Sequence, residues 1–194
     1  MYKIAIIVFP DAEELDVVGP YETIASLDKI EPGSVEVDLI AESLEPVKFF
    51  NGLRVLPDKT FSLDEQYDIL IVPGGDGRKE AMYDDTVHDF LKEQSDGLRY
   101  ICSVCTGAFV LAEAGILDGL KATTHRSALE ELTHSYPEIT VKDERVVKNA
   151  TDPQVWSAAG ISSGIDLALE LIGELFSEEI RDTVARRLEY PYHR

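Results

Sequence analysis

The chain alternates between short continuous apolar runs and longer stretches whose apolar residues recur at helical spacing. Lys3 to Phe9 is the first run, and Asp68-Ile69-Leu70-Ile71-Val72 and Arg99-Tyr100-Ile101-Cys102-Ser103-Val104 repeat it. Unbroken runs of this length mark strands covered on both faces, as in a parallel sheet. Val35-Glu36-Val37-Asp38-Leu39-Ile40 alternates instead, as a strand nearer an edge does. Further strands are expected at Lys121 to Thr124, Glu144 to Lys148 and Gln154 to Ala158. Helical spacing marks Leu15 to Leu27, Thr86 to Gln94, Gly107 to Ala114 and Ile161 to Phe176, the last with Ile165, Leu169, Ile172 and Phe176 on one stripe. Ser177 reads as the N-cap of a final helix ending near Leu188. Pro20 fits only near a first turn or at a break. Asn51-Gly52 suits a two-residue type I′ turn, predicting a hairpin over Phe49 to Val55. No repeat, low-complexity tract or linker interrupts the pattern. Residues 1–194 are therefore expected to form one doubly wound α/β domain, with a mostly parallel sheet and helices on both faces.

Composition narrows the function classes. A chain of 194 residues, 44% hydrophobic, has ample material for a core without disulfide or metal staples. The 37 acidic residues against 18 basic ones give a net charge of −19. Such a surface repels polyanions, so nucleic acid and anionic membrane are not expected partners. The acids are interspersed with apolar runs, which argues against disorder. The apolar N-terminal run stops at Pro10-Asp11, too short to span a bilayer and without a small-residue cleavage site. A soluble, cytoplasmic protein is expected.

In doubly wound folds, ligands bind beyond the carboxyl ends of the strands, near a switch in strand order. Three segments follow strands in chemically suggestive ways: Pro10-Asp11 running on to Asp16, Pro73-Gly74-Gly75, and Cys105-Thr106-Gly107-Ala108. A buried strand, one nucleophilic residue, then Thr-Gly and a helix is the shape of a nucleophile elbow centred on Cys105. The helix N-terminus is expected to favour the thiolate. Cys102 lies inside the strand and reads as core. Cys102-Ser103-Val104-Cys105 lacks the further ligands a zinc site needs. Gly74 and Gly75 read as half of an oxyanion hole, completed by the Thr106 N–H. Asp16 stands between Leu15 and Val17-Val18, a polar position in an apolar stretch, so it is expected to face a pocket with a raised pKa. His125 reads as a structural or interface histidine, and His88, His134 and His193 as exposed helix or tail residues.

The chain resembles the ThiJ/PfpI superfamily, relatives of class I glutamine amidotransferase domains. The anchors are Pro10 to Pro20, Val72-Pro73-Gly74-Gly75, Ser103 to Ala108, Ala122-Thr123-Thr124-His125, Ile161-Ser162-Ser163-Gly164-Ile165-Asp166 and Leu188-Glu189-Tyr190. The resemblance implies a flavodoxin-like fold over the whole chain and a homodimer with its site near the interface. Protease- and chaperone-like members place His after the nucleophile and Glu at the acid position. Thr106 and Asp16 stand there in this chain, which argues against a peptidase. Leu15-Asp16-x-x-Gly19-Pro20 paired with Cys105-Thr106-Gly107 looks like the isocyanide hydratases, and also like the sensor domains fused to AraC-type regulators. DNA binding is not expected, because the chain stops at Arg194 with its acidic balance.

The implied activity is hydration of an isocyanide to an N-substituted formamide, a carbon–nitrogen lyase reaction. Cys105 would attack a small electrophilic substrate, and Asp16 would carry the proton. The Gly75 and Thr106 N–H groups would stabilise charge, and the Thr106 hydroxyl would orient the carboxyl or water, with Gly74 and Ile161 completing the substrate pocket. No metal or organic cofactor is required. Two alternatives are a glyoxalase or deglycase acting on 2-oxoaldehydes, and a redox sensor in which Cys105 oxidises to a sulfinate stabilised by Asp16.

Overall fold

The apolar runs become the centre of a sheet. The computed structural model describes residues 1–62 and 64–192; His193, expected in an exposed tail, lies outside them. The strands are β1 (Tyr2–Ile7), β2 (Val35–Ala41), β3 (Val47–Lys48), β4 (Arg54–Val55), β5 (Lys59–Thr60), β6 (Ile69–Val72), β7 (Tyr100–Val104), β8 (Lys121–Ala122), β9 (Thr140–Val141), β10 (Val146–Asn149) and β11 (Gln154–Ala158). The helices are α1 (Glu14–Leu27), α2 (Arg78–Ala81), α3 (Asp85–Ser95), α4 (Ala108–Glu113), α5 (Leu129–Ser135), α6 (Ser163–Leu175) and α7 (Glu178–Arg187).

Among the described residues, seven strands share one sheet in the order β10-β11-β7-β6-β1-β2-β5. All neighbours are parallel except β10, which runs antiparallel to β11. The chain leaves β1 for β2 on one side and returns to β6 on the other, so the strand order switches between β1 and β6. This is the mostly parallel, helix-flanked α/β architecture expected from the apolar runs. β6 and β7 are buried along their whole length, which is why their sequences do not alternate. Helices α1, α6 and α7 pack on one another, while α4 packs on β6, β7 and α2.

Several local expectations are corrected. Pro20 sits inside α1, in its second turn, and the helix does not break. Proline removes only the N–H that would bond the Asp16 carbonyl, and its ring packs closely against Gly164 of α6. The Asn51-Gly52 hairpin exists, but its loop has three residues. Phe49 donates to the Leu53 carbonyl and Gly52 to the Phe49 carbonyl, at 2.8 and 3.0 Å. Gly52 takes φ +104° and Asn51 keeps a negative φ, whereas a type I′ turn needs both positive. The strand expected at Lys121 to Thr124 shortens to β8, which pairs with β9 outside the main sheet. Helices α2 and α5 and strand β9 lack a readable period and were not expected. His134 is exposed as expected, but His88 is half-buried.

Candidate active site

Three strand ends converge at the switch point. The loop after β1 leads into α1 and carries Asp16; the loop after β6 carries Gly74 and Gly75; Cys105 follows β7 directly. Backbone bonds lock the first two loops together, with Glu13 donating to the Gly74 carbonyl at 3.0 Å and Ala12 bridging Gly75. Gly75 holds φ +113°, a conformation that favours glycine. A Cβ on Gly74 would fall 2.5 Å from the Thr106 nitrogen, so only glycine allows the β6 and β7 loops to approach this closely.

Cys105 has φ 56°, the strained left-handed geometry expected of an elbow. The strain is held on both sides: the Cys105 N–H donates to the Ala159 carbonyl at 2.8 Å, and its carbonyl accepts the Thr124 hydroxyl at 2.9 Å. A short 3₁₀ turn, Cys105–Gly107, precedes α4. The sulfur faces the backbone N–H groups of Thr106 and Ile161, both of which pull its pKa down. Burial pushes the other way more strongly, and the adjacent Asp16 charge adds to it, so the thiol is pushed up to about 12. The expected bias towards thiolate from the helix terminus is therefore overturned. Helix α4 is only six residues long, and two amides do not offset burial beside a carboxyl.

Asp16 is fully buried, and burial raises its pKa from the ordinary 3.8 to about 7. The Gly74 N–H, donating to Oδ2 at 3.0 Å, and the Cys105 thiol both act against that rise, while the charge of Glu13 adds to it. Oδ1 makes no hydrogen bond of ordinary geometry among the described residues. Asp16, expected to face a pocket, is instead wholly buried and does not line the cavity at Cys105; the expected rise in its pKa agrees with that burial.

The oxyanion arrangement differs from the expectation in its donors. The Gly75 N–H is spent on Thr106 Oγ1 at 3.0 Å, and the Gly74 N–H on Asp16. Neither is free for a substrate. Thr106 Oγ1 accordingly braces Gly75 and does not orient the carboxyl. The amides that do reach the sulfur belong to Thr106 and Ile161. Cys102 is fully buried in β7, where burial raises its pKa steeply, and both cysteines are free thiols.

A cavity of about 390 Å³ opens in front of Cys105, lined among others by Glu13, Gly75, Thr106, His125 and Ile161. His125 lines this cavity too, and its packing is compatible with the structural histidine expected from the sequence. Its Nδ1 lies 2.8 Å from Ser127 Oγ, and its ring packs on Gly160. The signal was present in Ala122-Thr123-Thr124-His125, a polar segment directly after a short strand. Arg78 and Glu131 also line the cavity, and no sequence period pointed to either.

An isonitrile hydratase from Pseudomonas putida is 39% identical over 188 residues, covering 97% of this chain and 78% of that protein. A glutathione-independent glyoxalase from Caenorhabditis elegans is 27% identical, covering 96% of each chain. The crystal structure of a ThiJ/PfpI family protein from Pseudomonas syringae superposes with a TM-score of 0.87 at 31% identity, covering 100% of this chain and 76% of that one. Residues 2–174 match the DJ-1/PfpI family, and with the elbow at Cys105 and its buried acid at Asp16 the chain belongs to that family.

Proposed function

We propose that the protein is an isocyanide hydratase, converting R–N≡C and water into the formamide R–NH–CHO. The observation that carries this reading is the pairing of a buried thiol, Cys105, with a fully buried carboxyl, Asp16, whose pKa near 7 lets it hold or release a proton at neutral pH. Similarity to the isonitrile hydratase supports it.

The Asp16 carboxylate takes the thiol proton as sulfur attacks the terminal carbon, then returns it to that same carbon. An S–C and a C–H bond form, giving the thioimidate R–N=CH–S–Cys105. Water adds to the carbon while its proton passes through Asp16 to nitrogen. The tetrahedral intermediate then collapses, the C–S bond breaks, and the remaining hydroxyl proton restores the thiol. The Thr106 and Ile161 N–H groups stabilise charge on sulfur as it attacks and leaves. A free thiol of this kind suits a reducing compartment such as the cytoplasm.

The glyoxalase relative makes 2-oxoaldehydes the rival substrates. A turnover panel of alkyl isocyanides and methylglyoxal, run on the purified protein and Cys105→Ala, separates the two. Consumption of isocyanide by the parent protein alone is the expected outcome. Turnover of methylglyoxal without isocyanide overturns the reading, and no turnover of either favours the sensor.

We also read the protein as a homodimer. Leu15 and Val18 on α1 and Phe50 and Leu53 on the hairpin are exposed apolar side chains on adjoining segments, which the Phe50 N–H bond to the Ala12 carbonyl ties together. Sedimentation at micromolar concentration tests this, and a monomer there rejects it.

A further inference from the structure

The buried cation in the wall of the Cys105 cavity is already paired. Arg78 is nearly buried, stacked 3.8 Å from the centre of the Phe109 ring, and its Nη2 donates to both Glu131 oxygens at 2.8 and 2.9 Å. Lys79 lies 3.2 Å from Asp76 Oδ1, and all four of these charged residues line the cavity. Glu13 is the acid left over. It lines the same cavity, makes no ion pair among the described residues, and has only the Asn51 amide at 3.5 Å. Burial and the neighbouring Glu14 raise its pKa, while His125 pulls it down.

We propose that this cavity excludes anions, so that the substrates are isocyanides with neutral or cationic N-substituents and not those bearing a carboxylate. An arginine in a catalytic cavity is the ordinary anchor for a carboxylate. Here Glu131 already holds that position, and Phe109 fixes the guanidinium plane. An incoming carboxylate would be desolvated beside Glu13 while Arg78 stays held by Glu131. The solvent-exposed Lys79, shared with Asp76, offers only a weakly attractive rim charge. The net charge of −19 acts in the same direction at longer range. Glu13 and Glu131 are thereby specificity-determining residues. The substrate preference rests on the isocyanide reading; the exclusion of anions from Cys105 does not.

Two reagents of nearly equal size test the exclusion without turnover. At pH 8, Cys105 is alkylated with iodoacetamide or iodoacetate; the S–C bond forms, iodide leaves, and the thiol proton is lost to Asp16 or solvent. Peptide mapping follows the site. The ratio of the neutral to the anionic rate is expected to exceed that of a small neutral thiol by more than about threefold. Asp16, ionised beside the sulfur at pH 8, contributes to it, and the part lost in Glu13→Gln is the part that belongs to the cavity wall. Glu13→Gln should lower that ratio, and Glu131→Gln should lower it by releasing Arg78. A ratio within about threefold of the small thiol's, or one unchanged by Glu13→Gln, overturns the proposal. If Glu131→Gln does not fold, Glu13→Gln decides alone. In parallel, turnover of a neutral alkyl isocyanide is compared with that of isocyanoacetate. Loss of all turnover with the alkylation ratio intact rejects the hydratase and keeps the exclusion. Equal turnover of both isocyanides rejects the exclusion and keeps the hydratase.

Discussion

Gly74 donates its backbone N–H to Asp16 Oδ2 at 3.0 Å, joining residues 58 positions apart in the chain. This bond orients a carboxyl that is otherwise nearly without hydrogen bonds, since Oδ1 has none of ordinary geometry among the described residues. A buried carboxyl with one donor keeps its proton far more readily than one in water. The β6 loop thus holds the acid in place without making it permanently ionised.

Asp16→Asn keeps an oxygen acceptor for the Gly74 N–H but cannot move a proton. The variant is expected to fold and to bind substrate, while kcat falls by about 10² to 10⁴, the usual weight of a positioned acid–base group. Single-turnover kinetics should place the loss in both adduct formation and its hydrolysis. Unchanged kcat would remove Asp16 from the mechanism.

The same carboxyl makes stability depend on pH in the direction opposite to most aspartates. Its folded value, about 7, lies above the ordinary 3.8, so between these values the folded state holds a proton that the unfolded chain has lost. Stability therefore falls as pH rises from about 4 to about 7, then this contribution levels off. The full loss is on the order of 4 kcal/mol by linkage. Urea unfolding at pH 5 and pH 8 checks it as the difference between the parent protein and Asp16→Asn, which lacks the group. Equal pH slopes for the two proteins would contradict the burial-raised carboxyl.

Thr106 braces the loop, and its hydroxyl is the part that matters. Thr106→Val leaves the Gly75 N–H without its acceptor and should cost about 1 kcal/mol of stability, whereas Thr106→Ser retains the bond. Because Gly74 is adjacent, kcat should fall in the valine variant and largely survive in the serine variant. A valine variant matching the parent in both respects would show that the Gly75 bond is idle.

The fold was legible where both faces of a strand are covered. Ile69 to Val72 and Tyr100 to Val104 are apolar at nearly every position because helices or strands lie on all sides. The short pieces were not legible. β8 and β9 hold two residues each, too few for a period, and α1 continues through Pro20, whose ring lies close to Gly164 of α6. In the site, spacing identified Cys105 and Asp16. Spacing could not say which amides were already spent. Gly75 looked like an oxyanion donor until its N–H was found on Thr106, and Ile161 supplies an amide from across 56 positions of chain. The thiol's direction of titration was not legible for the same reason. A helix start is visible in a sequence, but the desolvation that outweighs it is not.

The surface charge gives a prediction independent of the site. With 37 acids against 18 bases, like charges repel across the folded surface, and salt screens that repulsion over a Debye length of roughly 10 Å at 0.1 M and 3 Å at 1 M. Some carboxylates are already compensated: Lys59 Nζ lies 2.7 Å from both Asp38 and Glu65, and Lys3 is 2.7 Å from Glu65. Salt weakens these attractions as well, but even with every base paired the acids remain in excess by 19. The excess of acids should therefore dominate, and Tm should rise between low and molar salt, most steeply at modest ionic strength. Sodium and potassium chloride should act alike, because screening needs no specific site. A flat or falling Tm in differential scanning calorimetry would mean that clusters such as Lys59 with Asp38 and Glu65 outweigh the net repulsion, and that the acidic surface is organised into favourable pairs.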